Sequence, residues 1–115
     1  LKRSQKVKSM KNLWAGISGI IEGDEKPLTR AKIEIYEEVG MGETSIKLVT
    51  EGDVITIESP QYENHQWEVY PFLFSCHNRD IKLNWENSDS RWISMNELKN
   101  FTTVPSLDKV LTRLL

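Results

Sequence analysis

Three glutamates in the first third of the chain have the side-chain type and spacing of a metal-binding group. Glu34, Glu37 and Glu38 stand at positions i, i+3 and i+4, so a helix would place them on one side. Like charges at this spacing destabilise a helix by about 0.2–0.5 kcal/mol per pair. Carboxylates, together with substrate phosphates, are oxygen ligands that typically hold Mg2+. The cluster therefore predicts a divalent-cation site, with a solvated acidic helix face as the alternative.

The residues around the glutamates predict a helix over Pro27 to Val39. Proline is tolerated in a first helical turn, and the acidic Asp24 and Glu25 lie near the positive end of the helix dipole. Apolar residues recur at three- and four-residue steps and form one stripe: Leu28, Ala31, Ile35 and Val39. One face is expected to meet the core, and another face is acidic.

The glutamates belong to a longer pattern of fixed spacing. The segment GIIEGDEKPLTRAKIEIYEEVGM, residues 19–41, fits G-x5-E-x7-R-E-U-x-E-E-x-G-U at every specified position except one, where Ile33 replaces arginine (U is a bulky aliphatic residue). The six glycines and glutamates fall in register by chance with odds on the order of one in a hundred thousand. This spacing is that of the Nudix box, and the chain resembles the Nudix hydrolases.

The resemblance extends over nearly the whole chain. The stretches WEVYPFLFSC, LNWENSDSRWIS and TVPSLDKVLTRLL are similar to compact archaeal-type Nudix domains, some of which are free-standing and some fused to initiation-factor-2B-like proteins. The resemblance implies a single domain over residues 1–115 with an α/β fold. The expected architecture is an α/β/α sandwich with a mixed sheet. Because the chain opens without methionine and inside an apparent strand, we expect a fragment of a longer protein.

The resemblance also implies a reaction and the residues that perform it. Nudix hydrolases use Mg2+ (Mn2+ is an alternative) and water to cut the P–O–P bond of a nucleoside diphosphate linked to another group. The implied metal ligands are the Ser18 carbonyl, Glu34, Glu37 and Glu38. The implied catalytic residues are Glu37 or Glu38 as the base and Glu86 as an added carboxylate from a distant loop, ahead of Glu58 and Glu63.

Other positions of the box have implied structural roles. Gly19 is expected to let the chain turn tightly into the helix, and Gly40 to cap its C-terminus. In the family the box arginine pairs with carboxylates, a role that Ile33 cannot fill. Ile33 also lies off the apolar stripe, and it is expected to pack elsewhere. Arg30, four residues before Glu34, is the candidate substitute cation.

Composition indicates one core and gives no case for nucleic-acid binding. The chain has 115 residues, of which 38% are hydrophobic and 28% charged, with a net charge of -2. A basic run near the start is either a solvated loop or an aid in attracting a phosphorylated substrate: Lys2, Arg3, Lys6, Lys8 and Lys11. The single cysteine, Cys76, fits a reducing cytosol and is expected to be a small buried residue. We expect a cytoplasmic protein with a small-molecule partner and no membrane contact, and a homodimer is one alternative.

Short runs of β-branched and aromatic residues predict strands between turn signals. They are Leu1–Ser4, Trp14–Ile21, Ile46–Thr50, Asp53–Ser59, Trp67–Ser75, Asp80–Leu83 and Arg91–Ser94. A capping box at Ser94 to Glu97 predicts a short helix, and Pro105 begins a last one. Each tryptophan is either a core residue or a surface for stacking a ring of the substrate: Trp14, Trp67, Trp85 and Trp92.

Two functions of different classes follow from the sequence. The first is a Mg2+-dependent nucleotide pyrophosphohydrolase, because every implied metal ligand is present. The second is a catalytically weak nucleotide-binding or regulatory module, fused to an initiation-factor-2B-like protein. The replacement of the box arginine by Ile33 favours the second.

Overall fold

The first long element is the helix that carries the glutamate cluster. In the computed structural model, which describes residues 1–58 and 63–115, β1 (Lys2–Arg3) is followed by α1 (Pro27–Val39). The expected bounds of α1 are confirmed, with proline in the first turn. Gly40 ends the helix in the left-handed region at φ 78° and donates its N–H to the Tyr36 carbonyl at 3.0 Å. The sequence therefore located both ends of the element on which the candidate site depends.

Six strands among the described residues pair in three antiparallel ladders. A 3-10 turn (Glu43–Ser45) leads into β2 (Ile46–Glu51), and β3 (Ile55–Glu58), β4 (Gln66–Val69), β5 (Phe72–Cys76) and β6 (Asn87–Asp89) follow. The ladders are β1 with β6, β2 with β5, and β3 with β4. A 3-10 helix (Met95–Asn100) and α2 (Leu107–Leu114) complete the chain. The architecture is a mixed α/β domain with small antiparallel sheets.

The core lies between α1 and the β2–β5 ladder. Ile35, Val39 and Met41 are buried together. Half-buried residues pack against them from several elements: Leu1, Ile46, Phe74, Cys76 and Ile81. The predicted stripe of α1 is confirmed at its C-terminal half, whereas Leu28 and Ala31 are only partly buried. Cys76, which was expected to be buried, is only half-buried and packs at the edge of this core.

Several strand predictions were wrong, and their backbone groups have other partners. Of Trp14–Ile21, only Trp14 pairs, as a bridge to Lys2 and to Thr103. The 80–83 segment is not a strand, because Lys82 donates its N–H to the carbonyl of Val39 at the end of α1. No strand forms over 91–94, which ends at the capping residue of the following 3-10 helix.

The remaining predictions differ mainly in their bounds. The 67–75 run divides into β4 and β5 around Tyr70 and Pro71, since proline cannot donate to a ladder. The predicted strand Asp53–Ser59 begins at Ile55, and its last residue lies outside the described part. The capping box at Ser94 and Glu97 is confirmed. The last helix begins at Leu107, two residues after the predicted start.

Candidate active site

Glu38 is the most unusual ionisable residue of the described chain. It lies on the core side of α1 and is only 5% exposed. Its Oε1 accepts a hydrogen bond from Asn87 Nδ2 at 3.1 Å, while its Oε2 is buried with no hydrogen-bond partner among the described residues. A buried polar atom without a partner is costly. This oxygen therefore points to a group that the described part of the chain does not provide.

Burial is the main cause of a raised pKa at Glu38. The pKa of the Glu38 carboxyl is raised to about 7, mostly by burial and in smaller part by the nearby charges of Glu86 and Glu34. The hydrogen bond from Asn87 and the backbone of Ser18 act in the opposite direction. A carboxyl group in this state is neutral or charged near physiological pH, so a small change in its surroundings decides its charge.

Glu34 stands one turn earlier, and Arg30 contacts it. The Glu34 carboxylate has a raised pKa because of burial and then because of the charge on Glu37, with a smaller contribution from Glu86. Arg30 Nη1 lies 3.6 Å from Glu34 Oε1 and lowers that pKa. The prediction that Arg30 could supply a cation near the cluster therefore agrees with the observed ion pair.

The loop before α1 passes directly over the glutamates. A Cβ atom built on Gly19 would overlap the Glu34 carboxylate, and the backbone of Ser18 acts on Glu38. The backbone at Gly19 forms neither a turn nor a bend, and its φ is not positive, so the tight turn expected at this residue is not found. Glycine is needed at this position for space, since the carboxylate occupies the place of a side chain.

A turn far along the chain brings Glu86 and Asn87 to the cluster. The Asn84 side chain accepts a hydrogen bond from the Glu86 N–H at 3.1 Å, and Ser4, directly after β1, holds the same turn. Ser4 donates its hydroxyl to the Trp85 carbonyl at 2.7 Å and its N–H to the Glu86 carbonyl at 2.8 Å. Glu86 is thus close enough to act on the pKa of both Glu34 and Glu38, whereas Glu58 lies on β3.

Asn87 was missed by the sequence analysis. Its side chain is 8% exposed and fixes one oxygen of Glu38. The run Asn87–Asp89 is polar and contains no β-branched residue, so the pattern that signals a strand is absent. A buried asparagine in such a run is visible only once β1 is paired with β6.

Glu37 and Ile33 lie on the outer side of α1. Both line an open groove of about 500 Å3, together with Leu28, Thr29, Lys32, Tyr36, Gly42 and Glu43. Tyr36 is 64% exposed. Ile33 is half-buried along this groove, which agrees with the expectation that it lies off the core stripe.

The tryptophans are mostly at the surface. Trp14 packs edge-on against Phe101, with ring centroids 5.1 Å apart. Trp67, Trp85 and Trp92 are each at least 45% exposed, and the Arg79 guanidinium lies 5.3 Å above the Trp92 ring. Trp85 directly precedes Glu86, so it is the exposed tryptophan nearest in sequence to the carboxylates.

The carboxylates are close, but they are not arranged as a finished metal site. Across residues 1–58 and 63–115, no three acidic, histidine or cysteine side chains converge so as to hold a metal ion. Glu34 faces Arg30, and Glu38 faces Asn87. The donor set itself suits a hard cation, because it offers carboxylate oxygens, one of them buried without a partner.

None of the helices in the described part is long and apolar enough to cross a bilayer. The chain matches no protein-family model, and no curated protein is significantly similar to it.

Proposed function

We propose that the chain is a Mg2+-dependent hydrolase of Nudix type, which cleaves the P–O–P bond of a nucleoside diphosphate linked to another group. The observation that carries the proposal is the buried, unpartnered oxygen of Glu38 beside the charges of Glu34 and Glu86. Burying a carboxylate among like charges is unfavourable unless a cation or a proton compensates it. A divalent cation would compensate several of these charges at once.

The same proposal includes a Nudix-type α/β/α sandwich, whose mixed sheet would combine the antiparallel ladders with the parallel bridge between Trp14 and Thr103. The elements around the cluster support the Nudix-type box within it. The helix α1 spans the predicted residues, the glycine before it packs on the first glutamate of the cluster, and Gly40 caps it. The matched spacing thus has a physical reason at both of its glycines. A single domain with a small-molecule nucleotide partner in the cytoplasm, as a monomer or homodimer, is part of the same proposal.

The residues that would hold the cation are Glu34, Glu37, Glu38 and the Ser18 carbonyl. When bound, Mg2+ would neutralise diphosphate charge and lower the pKa of an attacking water. Glu37 is exposed along the groove, where a substrate has access to it. Without the cation, Glu38 has a pKa of about 7 and is able to hold or release a proton near neutral pH. A bound cation would favour its charged form. Glu86, from the turn after residue 83, adds a fourth carboxylate close to Glu34 and Glu38.

A second candidate function is a nucleotide-binding or regulatory module with weak or no turnover, fused to an initiation-factor-2B-like protein. The arrangement of the described carboxylates favours it, because no three of them converge on one point. Ile33 also leaves the groove side of α1 without the box arginine. In this case the pocket would bind the nucleotide, and the glutamates would contribute little to chemistry.

A phosphate-release screen separates the two functions when an added phosphatase frees inorganic phosphate from the phosphomonoester and pyrophosphate products. The substrates are nucleoside triphosphates, nucleotide sugars, ADP-ribose and dinucleoside polyphosphates, each with and without Mg2+. We expect Mg2+-dependent turnover of at least one of them by the wild type, and a loss of about 10²- to 10⁴-fold in kcat/KM for Glu37→Gln, since this is the range for a positioned proton-transfer group.

The matched control is Glu68→Gln, which changes an exposed glutamate on β4. Undiminished kcat/KM in Glu37→Gln would show that the cluster is not the catalytic site. Nucleotide binding by the wild type without any turnover would establish the binding module instead.

A further inference from the structure

Arg30 is held in place by a second carboxylate outside the cluster. Its Nη2 lies 2.7 Å from Glu25 Oε2 and 2.8 Å from Glu25 Oε1, and its Nε lies 3.0 Å from the same Oε1. The planar guanidinium thus uses one edge as a fork on Glu25, which is the geometry that fixes an arginine most firmly. Its side chain is only 16% exposed.

Glu25 is itself anchored to the backbone of the loop before α1. Its Oε1 accepts a hydrogen bond from the Glu22 N–H at 2.8 Å. The Arg30 hydrogen bond is the main cause of a lowered pKa at Glu25, so this carboxylate stays charged. A continuous connection runs from the loop backbone through Glu25 to Arg30.

The other end of Arg30 meets Glu34 more loosely. Nη1 stands 3.6 Å from Glu34 Oε1, beyond the usual length of a strong charge-assisted hydrogen bond. On its other side the Glu34 carboxylate rests against Gly19. Glu34 is therefore restrained on two sides, and neither contact is a bidentate hydrogen bond that would occupy both of its oxygens.

We infer that Arg30 is a positioning residue, which transmits the geometry of the Glu25 loop to Glu34 and holds that carboxylate ready for a divalent cation. The inference rests on the proposed function, because it assigns Glu34 as a cation ligand. It also accounts for the tolerance of isoleucine at position 33. The positively charged side chain that orients the glutamates is Arg30, which lies about one helical turn before position 33 on α1.

Removal of Arg30 distinguishes two effects, because electrostatics alone predicts tighter cation binding and loss of positioning predicts weaker binding. Removing a guanidinium beside Glu34 takes away positive charge, which by itself favours cation binding. If Arg30 positions Glu34, its removal weakens cation binding in spite of this gain. Mn2+ alone is the probe, and its dissociation constant is measured by calorimetry for the wild type, Arg30→Gln and Arg30→Lys, with melting temperatures recorded in EDTA.

We expect Arg30→Gln to bind Mn2+ about tenfold more weakly than the wild type, or a loss of about 1.4 kcal/mol of binding free energy. Arg30→Lys should recover part of this loss, because it restores the charge without the fork. The control is Arg91→Gln. Arg91 is an exposed arginine that pairs with Asp89 at 3.9 Å, so this variant should bind Mn2+ as the wild type does.

Unchanged or tighter Mn2+ binding by Arg30→Gln would overturn the inference while leaving the proposed function intact. If Arg30→Gln does not fold, the lysine variant decides: weaker binding supports positioning, and wild-type binding overturns it. A wild type that binds no Mn2+ would refute the inference together with the proposed function.

Discussion

The burial of Glu38 links the stability of the fold to the chemistry of the site. The carboxyl is 5% exposed, and its pKa in the folded protein is about 7 instead of 4.5. Asn87 stabilises one of its oxygens, and the other has no partner among the described residues. A residue chosen for stability alone would be apolar here, next to Ile35 and Val39. The presence of a glutamate at position 38 therefore indicates a functional role that offsets its cost in stability.

This pKa predicts how stability changes with pH when divalent cations are absent. Between pH 4.5 and 7 the folded state holds a proton on Glu38 that the unfolded state has lost, so the free energy of unfolding falls as pH rises through this window. The shift corresponds to about 3 kcal/mol. In Glu38→Gln this contribution is absent, so the variant should gain about 3 kcal/mol relative to the wild type between pH 4.5 and 8.

Urea unfolding in EDTA at a series of pH values measures the effect. Glu68→Gln, on the exposed side of β4, is the control and should follow the wild type throughout. A constant difference between Glu38→Gln and the wild type from pH 4.5 to 8 would show that Glu38 is not a buried carboxyl of raised pKa.

At the scale of elements, the loop before α1 and the turn after residue 83 enclose the glutamates. Much of the first element was visible in the sequence, because Pro27, the apolar stripe and Gly40 define a helix through local rules. The second was not. The turn at Asn84–Asn87 takes its place from hydrogen bonds to Ser4, more than 80 positions away, and no local pattern encodes such pairing.

The same division explains which strand predictions were wrong. The β2 and β5 runs alternate or continue in apolar residues and were found, although their exact ends were not. The 80–83 run has a similar composition, yet its backbone caps α1 through Lys82. Among the residues of the candidate site, Glu34, Glu37 and Glu38 were proposed from their spacing, whereas Asn87 could be recognised only from the tertiary structure.

Gly19 offers a test at this scale, because its only requirement is the space that Glu34 occupies. In Gly19→Ala the new methyl group overlaps the Glu34 carboxylate and must displace it. We expect Mn2+ binding to weaken about tenfold, or about 1.4 kcal/mol. Gly42→Ala is the matched control, since a Cβ at Gly42 meets no atom within 4 Å. Equal Mn2+ affinity of the two variants would mean that the loop does not position Glu34.

For the whole molecule, α1 has two roles that oppose each other. Its core face holds Ile35 and Val39 against the β2–β5 ladder, and the adjacent face gathers carboxylates whose repulsion opposes folding. A cation that binds only the native state should relieve this conflict. Such a ligand stabilises the fold by RT ln(1 + [L]/Kd), or about 2.7 kcal/mol at a hundred times Kd.

The melting temperature with and without millimolar Mg2+ tests the central claim most directly, because it needs no knowledge of the substrate. We predict that Mg2+ raises the melting temperature of the wild type by several degrees and has little effect on the Glu34→Gln/Glu38→Gln double variant. Each protein is compared with itself in EDTA, so the altered stability of the double variant does not enter the comparison. An identical response to Mg2+ in both proteins would contradict a cation site at these glutamates.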